Sequence, residues 1–215
     1  MAASLMKHIK DFETIVWDWN GTLLNDLEVV MKAEAEHFIQ LGIKVPTREE
    51  RDKLFCFPIQ KYYERLGFDF SKMPFSEVQN QFMHIYEEHM KRAELFAGTR
   101  EMLAEIADSH RRQFVLSAAP QLHLEQILSK HSVDMHFDGV YGLPHHNADT
   151  KIHRGRELIE EQKIDPSKTL MIGDTDHDFE VAQALGFEAL LVADGHKSYD
   201  ELSRLHHRVL RSRFE

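Results

Sequence analysis

Glu13-Thr14-Ile15-Val16-Trp17-Asp18-Trp19-Asn20-Gly21-Thr22 is the stretch on which the fold turns. An apolar run ends abruptly at an acid, and Asn20-Gly21, a strong turn signal, follows at once. This pattern reads as a buried strand that stops at an acidic loop. Gln113–Ala118, Thr169–Gly173 and Ala189–Ala193 read as buried strands by the same logic, with Gly139–Tyr141 as a shorter fifth. Helical stretches lie between them at Thr99–Asp108, Gln121–Lys130, Arg154–Gln162 and Phe179–Leu185, and Gly186 is placed to end the last one in a left-handed conformation. Strands that alternate with helices predict a parallel sheet covered on both faces.

Residues 26–96 break this alternation. Leu27–Leu41 reads as a helix closed by Gly42, and Thr47-Arg48-Glu49-Glu50 is a capping box that opens another. Pro58 is placed to start a third helix, ending at Gly67, and Ser76-Glu77-Val78-Gln79 is a second capping box before a long run to Glu94. The expected organisation is an α/β core from residues 1–25 and 97–215, interrupted by a helical domain over 26–96. The basic C-terminus, with Arg208, Arg211 and Arg213, is expected to be a solvated tail.

Composition bounds the function. The chain has 215 residues, 42% of them hydrophobic and 29% charged, which is ordinary for a globular protein. A net charge of −10 argues against non-specific binding to nucleic acid or to an anionic membrane. The single cysteine, Cys56, has no partner for an internal disulfide, and no long apolar run marks a leader or a membrane span. The expectation is a soluble cytoplasmic protein. Oligomeric state is not legible.

In open parallel sheets, ligands bind at the carboxyl ends of the strands. Three strand ends here are polar in a coherent way: Asp18-Trp-Asn20-Gly-Thr22, Ser117, and Gly173-Asp174-Thr-Asp176-His177-Asp178. Lys151, in Asn-Ala-Asp-Thr-Lys at a helix start, adds a cation. Clustered carboxylates repel one another unless a cation sits among them, and hard oxygen ligands suit Mg²⁺. The lysine and the serine are then placed to face an oxygen of a phosphate.

Taken together and in order, these segments resemble the four motifs of the haloacid dehalogenase superfamily of aspartate-nucleophile hydrolases. The 99 positions from Asp18 to Ser117 leave room for a helical cap, and the 34 from Ser117 to Lys151 are too few for the α/β cap that other members insert at that point. The resemblance covers nearly the whole chain and is strongest to phosphoglycolate-phosphatase-like members. It implies a Rossmann-like α/β core with an inserted α-helical cap. It also implies Mg²⁺-dependent hydrolysis of a small phosphorylated metabolite, without nucleic acid or membrane as partner. By the same resemblance Asp18 attacks phosphorus and becomes an aspartyl-phosphate, and Asp18, Asn20, Asp174 and Asp178 hold the metal, Asn20 through its backbone carbonyl and Asp178 through a bound water. Thr22 and Ser117 bond the transferring phosphoryl group, and Lys151 neutralises charge and positions Asp18.

One position departs from the family pattern. Phosphatases of this family usually carry a second Asp two residues after the nucleophile, as acid and base, and this chain has Asn20 there. An amide carries no proton near neutral pH. Four readings stay open: a phosphatase, with slow turnover or with substrates whose leaving group needs little protonation; a near-inactive phospholigand-binding protein; a phosphonate hydrolase using Lys53 or Lys61; and a dehalogenase, against which the Asp174/Asp178 pair argues. Other residues have plainer readings. Asp174 and Asp178 also suit helix capping. His177 and Asp176 read as surface positions, and His145-His146 as solvated. Cys56 reads as part of the packing of the helical domain, as does the helix face of Tyr62, Tyr63 and Arg65. Trp19 either shapes a substrate mouth or packs its loop.

Overall fold

The computed structural model describes residues 3–56, 58–144 and 151–213. His145-His146 and the Asn-Ala-Asp-Thr segment before Lys151 lie outside the described residues. The chain separates into two compact units, Met1–Asn25 with Glu94–Glu215, and Asp26–Ala93.

The first unit is a parallel sheet. β1 (Thr14–Trp17), β4 (Arg112–Pro120), β5 (Gly139–Leu143), β6 (Thr169–Gly173), β7 (Glu188–Val192) and β8 (Val209–Leu210) run in the order β5-β4-β1-β6-β7-β8, and every pairing is parallel. β1 is fully buried along its length, so it reads as an unbroken apolar run rather than an alternation. Val16 pairs with Phe114 on one side and with Met171 on the other. The chain therefore leaves β1 toward β4 and β5, then returns on its other side through β6, β7 and β8. This reversal is a topological switch point, where open sheets of this kind bind ligands. One face of the sheet, with Val16, Phe114, Leu116 and Met171, packs on Leu158 of α8 (Lys151–Gln162) and on Val181, Ala182 and Leu185 of α9 (Asp176–Leu185). A methyl on Gly155 of α8 would sit 2.2 Å from Leu185, so glycine is what lets these helices approach. α6 (Thr99–Asp108) and α7 (Gln121–Lys130) complete the alternation read from sequence.

The ends of the chain differ from the expected solvated tail. α1 (Ala3–Ile9), α10 (Tyr199–Leu205) and the sixth strand β8 all belong to the first unit. Arg208 bonds the His8 carbonyl and lies over the Phe12 ring, Arg211 stacks on Tyr199, and Arg213 is buried. Short strands and guanidinium stacking leave no apolar period to read. The same holds for β2 (Leu24–Asn25) and β3 (Glu94–Leu95), an antiparallel two-residue pair, of which β3 falls in a region expected to be wholly helical.

The second unit holds α2 (Leu27–Gln40), α3 (Arg48–Leu54), α4 (Ile59–Arg65) and α5 (Phe75–Met90). The Thr47/Glu50 capping box forms, and Gly42 and Gly67 take positive φ after their helices. The Ser76 box does not form. Pro74 holds the N-cap position and α5 starts two residues before the Ser76 box would have it, because proline presets the φ a helix entry needs. α5 also stops at Met90, short of Glu94. Phe38, Tyr62, Tyr63 and Val78 form the unit's core.

Candidate active site

Asp18 follows β1 directly, and its backbone N–H is held by the Ile172 carbonyl at 2.8 Å. The turn behind it is closed by Trp19, whose carbonyl takes the amides of Thr22, Leu23 and Leu24, while the Gly21 amide bonds Leu24. Gly21 has φ +73, and a methyl there would meet Asp174 Oδ2 at 2.3 Å, so the turn closes only with glycine. Asp174 follows β6, the strand paired with β1, and reaches the same point from the neighbouring strand end.

Lys151 Nζ donates to Asp18 Oδ1 at 2.5 Å and to Asp178 Oδ1 at 2.6 Å. Thr22 Oγ1 lies 2.9 Å from Asp174 Oδ1 and 3.5 Å from Asp18 Oδ2. The His196 amide donates to Asp174 Oδ2 at 2.6 Å. Asp178 Oδ2 accepts from the Asp174 amide at 3.1 Å, the Thr175 amide at 3.0 Å and Thr175 Oγ1 at 2.7 Å. Thr175 and Asp178 form a capping box on α9, so the capping role and a place in the site coexist in Asp178. Asp18, Asp174 and Asp178 offer carboxylate oxygens that all lie within 4.8 Å of one another.

The electrostatics are unbalanced. Asp18, Asp174, Asp178 and Lys151 are all buried, so three carboxylates share one ammonium. Burial, reinforced by the charge of Asp178, pushes the Asp18 carboxyl up to about 8 against the pull of Lys151. Burial likewise raises Asp174 to about 6. Burial would raise Asp178 too, but Lys151 outweighs it and holds Asp178 below its ordinary value. Lys151 would be lowered by burial and is instead raised by Asp178 and Asp18. A divalent cation among these hard oxygens would offset both the burial and the mutual repulsion that raise Asp18 and Asp174, so the donor set fits Mg²⁺.

The remaining expected residues fall into three groups. Ser117 is buried in β4, two residues beyond Val115, the partner of Trp17. Its Oγ accepts from the Ala119 amide at 3.1 Å, which leaves its O–H to donate elsewhere. Asn20 is half-buried in the Asp18 turn and bridges to Leu24. Trp19 is buried, and His177 pairs with Glu180 at 3.6 Å. In the helical unit, Tyr62 and Tyr63 are core, and Cys56 packs against that core. Lys53 and Lys61 are exposed, and the hydrogen bond from Lys53 to Glu49 raises the Lys53 pKa, which opposes Schiff-base chemistry.

Sequence reasoning missed the segment Asp194-Gly195-His196 and its partner Arg213. A methyl on Gly195 would lie 2.2 Å from Asp174 Oδ2 and 2.4 Å from the Gly21 carbonyl, so this segment is pressed against both acidic loops. The one available signal was the Asp-Gly turn pair just after β7.

Comparison with known proteins places this arrangement. The family model described as "Haloacid dehalogenase-like hydrolase" matches residues 15–192. No curated protein sequence matches the chain. Among solved structures, SP0104 from Streptococcus pneumoniae, a hydrolase of the haloacid dehalogenase-like family, superposes with a TM-score of 0.84 at 18% identity, over 95% of this chain and 96% of that one. A protein of Lactobacillus delbrueckii subsp. bulgaricus with a provisional phosphoglycolate phosphatase assignment gives 0.79 at 16% identity, again over 95% and 96%. CbbY from Rhodobacter sphaeroides, in complex with phosphate, gives 0.74 at 19% identity over the same shares. At these identities the structures establish the fold.

Proposed function

Because the chain belongs to the haloacid dehalogenase-like hydrolase family, we propose that it is a Mg²⁺-dependent phosphatase acting on a small phosphate monoester. The observation that carries this reading is the buried set of three carboxylates, two of them bonded by one ammonium, at the switch point of the sheet, with Asp18 on the strand end where a ligand would sit. Structural neighbours support it: CbbY was solved with phosphate and with xylulose-1,5-bisphosphate.

In this reading Asp18, Asp174 and Asp178 hold the cation, with the Asn20 carbonyl as a further ligand. The cation, when bound, supplies Lewis-acid charge and a template for the phosphate. Asp18 is the nucleophile: one carboxylate oxygen bonds phosphorus as the ester oxygen leaves with its electron pair, giving an aspartyl-phosphate. Lys151 pulls Asp18 toward its ionised form and holds it in place through its 2.5 Å bond, and supplies positive charge beside the phosphoryl oxygens. Ser117 donates its hydroxyl to a phosphoryl oxygen, whereas Thr22, expected to bond the phosphoryl group as well, spends its hydroxyl on Asp174 and fixes that acid beside Asp18. Residues 26–96, the helical cap of this reading, are the part of the chain that would select the substrate.

Asn20 sets the rate. It orients a water or a leaving oxygen but transfers no proton, so loss of a positioned acid and base costs about 10²–10⁴-fold. The expected enzyme is slow, or takes esters whose leaving group departs without protonation. In the limit of no turnover the same site is a phospholigand-binding protein. The acidic charge and single cysteine fit a cytoplasmic setting. The test is phosphate release from a panel of monoesters in Mg²⁺, with Asp18→Asn and Asn20→Asp beside wild type. Release that vanishes in Asp18→Asn supports the phosphatase. No release by wild type, with release by Asn20→Asp, moves the assignment to the binding protein.

A further inference from the structure

Arg213 makes contacts that a solvated tail has no reason to make. It is 2% exposed, although it lies at the end of the described chain. Its Nε and Nη2 form a two-pronged bond to Asp194, at 3.1 and 2.7 Å. Nη2 also reaches the Gly21 carbonyl at 3.3 Å, and the guanidinium lies 3.5 Å over the Phe96 ring. One side chain therefore joins the Asp18 turn to the Asp194–His196 segment.

Both joined segments touch the acids directly. Gly21 is three residues from Asp18 and leaves no room for a methyl against Asp174. The other segment supplies the His196 amide that holds Asp174 Oδ2 at 2.6 Å, and its Gly195 is packed against Asp174 and the Gly21 carbonyl with no slack. A shift of Asp194 thus moves the donor to Asp174, and a shift of Gly21 moves the turn that carries Asp18. Misplacement of about 1 Å at such a site costs on the order of 10²-fold in rate.

We infer that Arg213 is a positioning residue that sets Asp18 and Asp174 relative to each other, an inference that rests on the phosphatase reading above. Arginine is the side chain the geometry calls for, because a planar fork bonds a carboxylate twice, keeps a donor for the carbonyl and stacks on an aromatic ring. Lysine keeps the charge and loses the fork.

The test compares wild type, Arg213→Ala, Arg213→Lys and, as a control for a C-terminal contact remote from the acids, Arg208→Ala. Four quantities are read: Mg²⁺ affinity by calorimetry, kcat, KM and thermal midpoint. The expected result for Arg213→Ala is weaker Mg²⁺ binding and a kcat lowered by about 10–100-fold with KM nearly unchanged. Free guanidinium at millimolar concentration restores part of it, whereas Arg208→Ala lowers the midpoint and leaves kcat alone. If Arg213→Ala does not fold, Arg213→Lys decides, with kcat expected about tenfold down. A folded Arg213 variant with the Mg²⁺ affinity and kcat of wild type overturns the inference alone. A wild type that neither binds Mg²⁺ nor releases phosphate overturns both the inference and the reading beneath it.

Discussion

Each unit of this molecule buries an ionic cluster, and the two are built on opposite plans. In the helical unit Arg51 faces Glu34 through two bonds, Nε to Oε2 at 2.7 Å and Nη2 to Oε1 at 3.0 Å, with its guanidinium over Phe55. One cation meets one anion, and both are buried. In the α/β unit Lys151 meets two carboxylates directly, and a third offers an oxygen within 4.8 Å of theirs. A balanced pair can be swapped for apolar residues of like volume at little cost, so it argues for packing. An excess of one sign has no packing rationale, since it raises the free energy of the fold. Its natural use is to hold charge that arrives later, as a cation and a phosphoryl group.

The largest expected effect removes the nucleophile from the unbalanced cluster. Asp18→Asn should lower kcat by about 10⁵-fold or more, as when a nucleophile is deleted elsewhere, and should raise stability in the absence of metal. Phosphate release and thermal melts check the two halves. An active Asp18→Asn would break the functional side of the contrast.

Next comes an addition to the same cluster. Asn20→Asp should raise kcat by about 10²–10⁴-fold by restoring an acid and base beside Asp18. It should also make the protein less stable without Mg²⁺, because a fourth carboxylate joins three. A gain confined to esters of poor leaving groups would locate the missing step at departure of the alcohol.

The balanced pair is tested by stability alone. Arg51→Ala should cost about 3–5 kcal/mol, because it strands a buried carboxylate, whereas Glu34→Leu with Arg51→Met should be close to neutral. Denaturant melts of both variants decide this. If the double variant were as damaged as the single, the pair would be more than packing and the contrast would blur.

The difference between the clusters also explains what the sequence made legible. The sheet was readable because β1, β4, β6 and β7 carry unbroken apolar runs, and the acids were readable because Asp18 and Asp174 stand immediately beyond two of them. Thr47 and Glu50 announced their helix because a capping box is local. β8, β3 and Arg213 were illegible for the opposite reason. A two-residue strand has no period, and an arginine that bonds a carbonyl 192 positions away leaves no local mark. The Glu34–Arg51 pair was hidden likewise, since nothing in a helix sequence says which charged residue turns inward. Ser76 misled because its box was complete in sequence and Pro74, two residues earlier, entered the helix first.

The smallest expected effect is also the most discriminating between the two clusters, and it follows from the direction of two shifts. Asp18 and Asp174 have ordinary values of 3.8 that the fold raises to about 8 and about 6. Between about pH 4 and pH 8 these two carboxyls therefore bind more protons in the folded chain than in the unfolded one, and by linkage their contribution to stability falls as pH rises through that window, whereas His8, His37 and His206, none of them in the carboxylate cluster and all shifted down by burial, contribute in the opposite sense. Asp178 and Lys151 do not cancel the trend. The first is shifted down from 3.8, so its contribution changes below the window, and the second is shifted up from 10.5, so its contribution changes above it. A bound cation reverses the effect, because it favours the ionised carboxylates. Mg²⁺ at a fixed concentration, about 100 times its Kd at pH 8, should add about 2.7 kcal/mol there, or a rise of roughly 5–10 °C in Tm for a chain of this size. The rise should be greater near pH 8 than near pH 5, it should shrink in Asp174→Asn, and it should persist in the Glu34→Leu, Arg51→Met variant. Melting curves at both pH values, with and without Mg²⁺, measure it. Equal rises at both would mean that the carboxylates are already ionised without the cation, and the charge excess that separates the two units would be compensated by some other group.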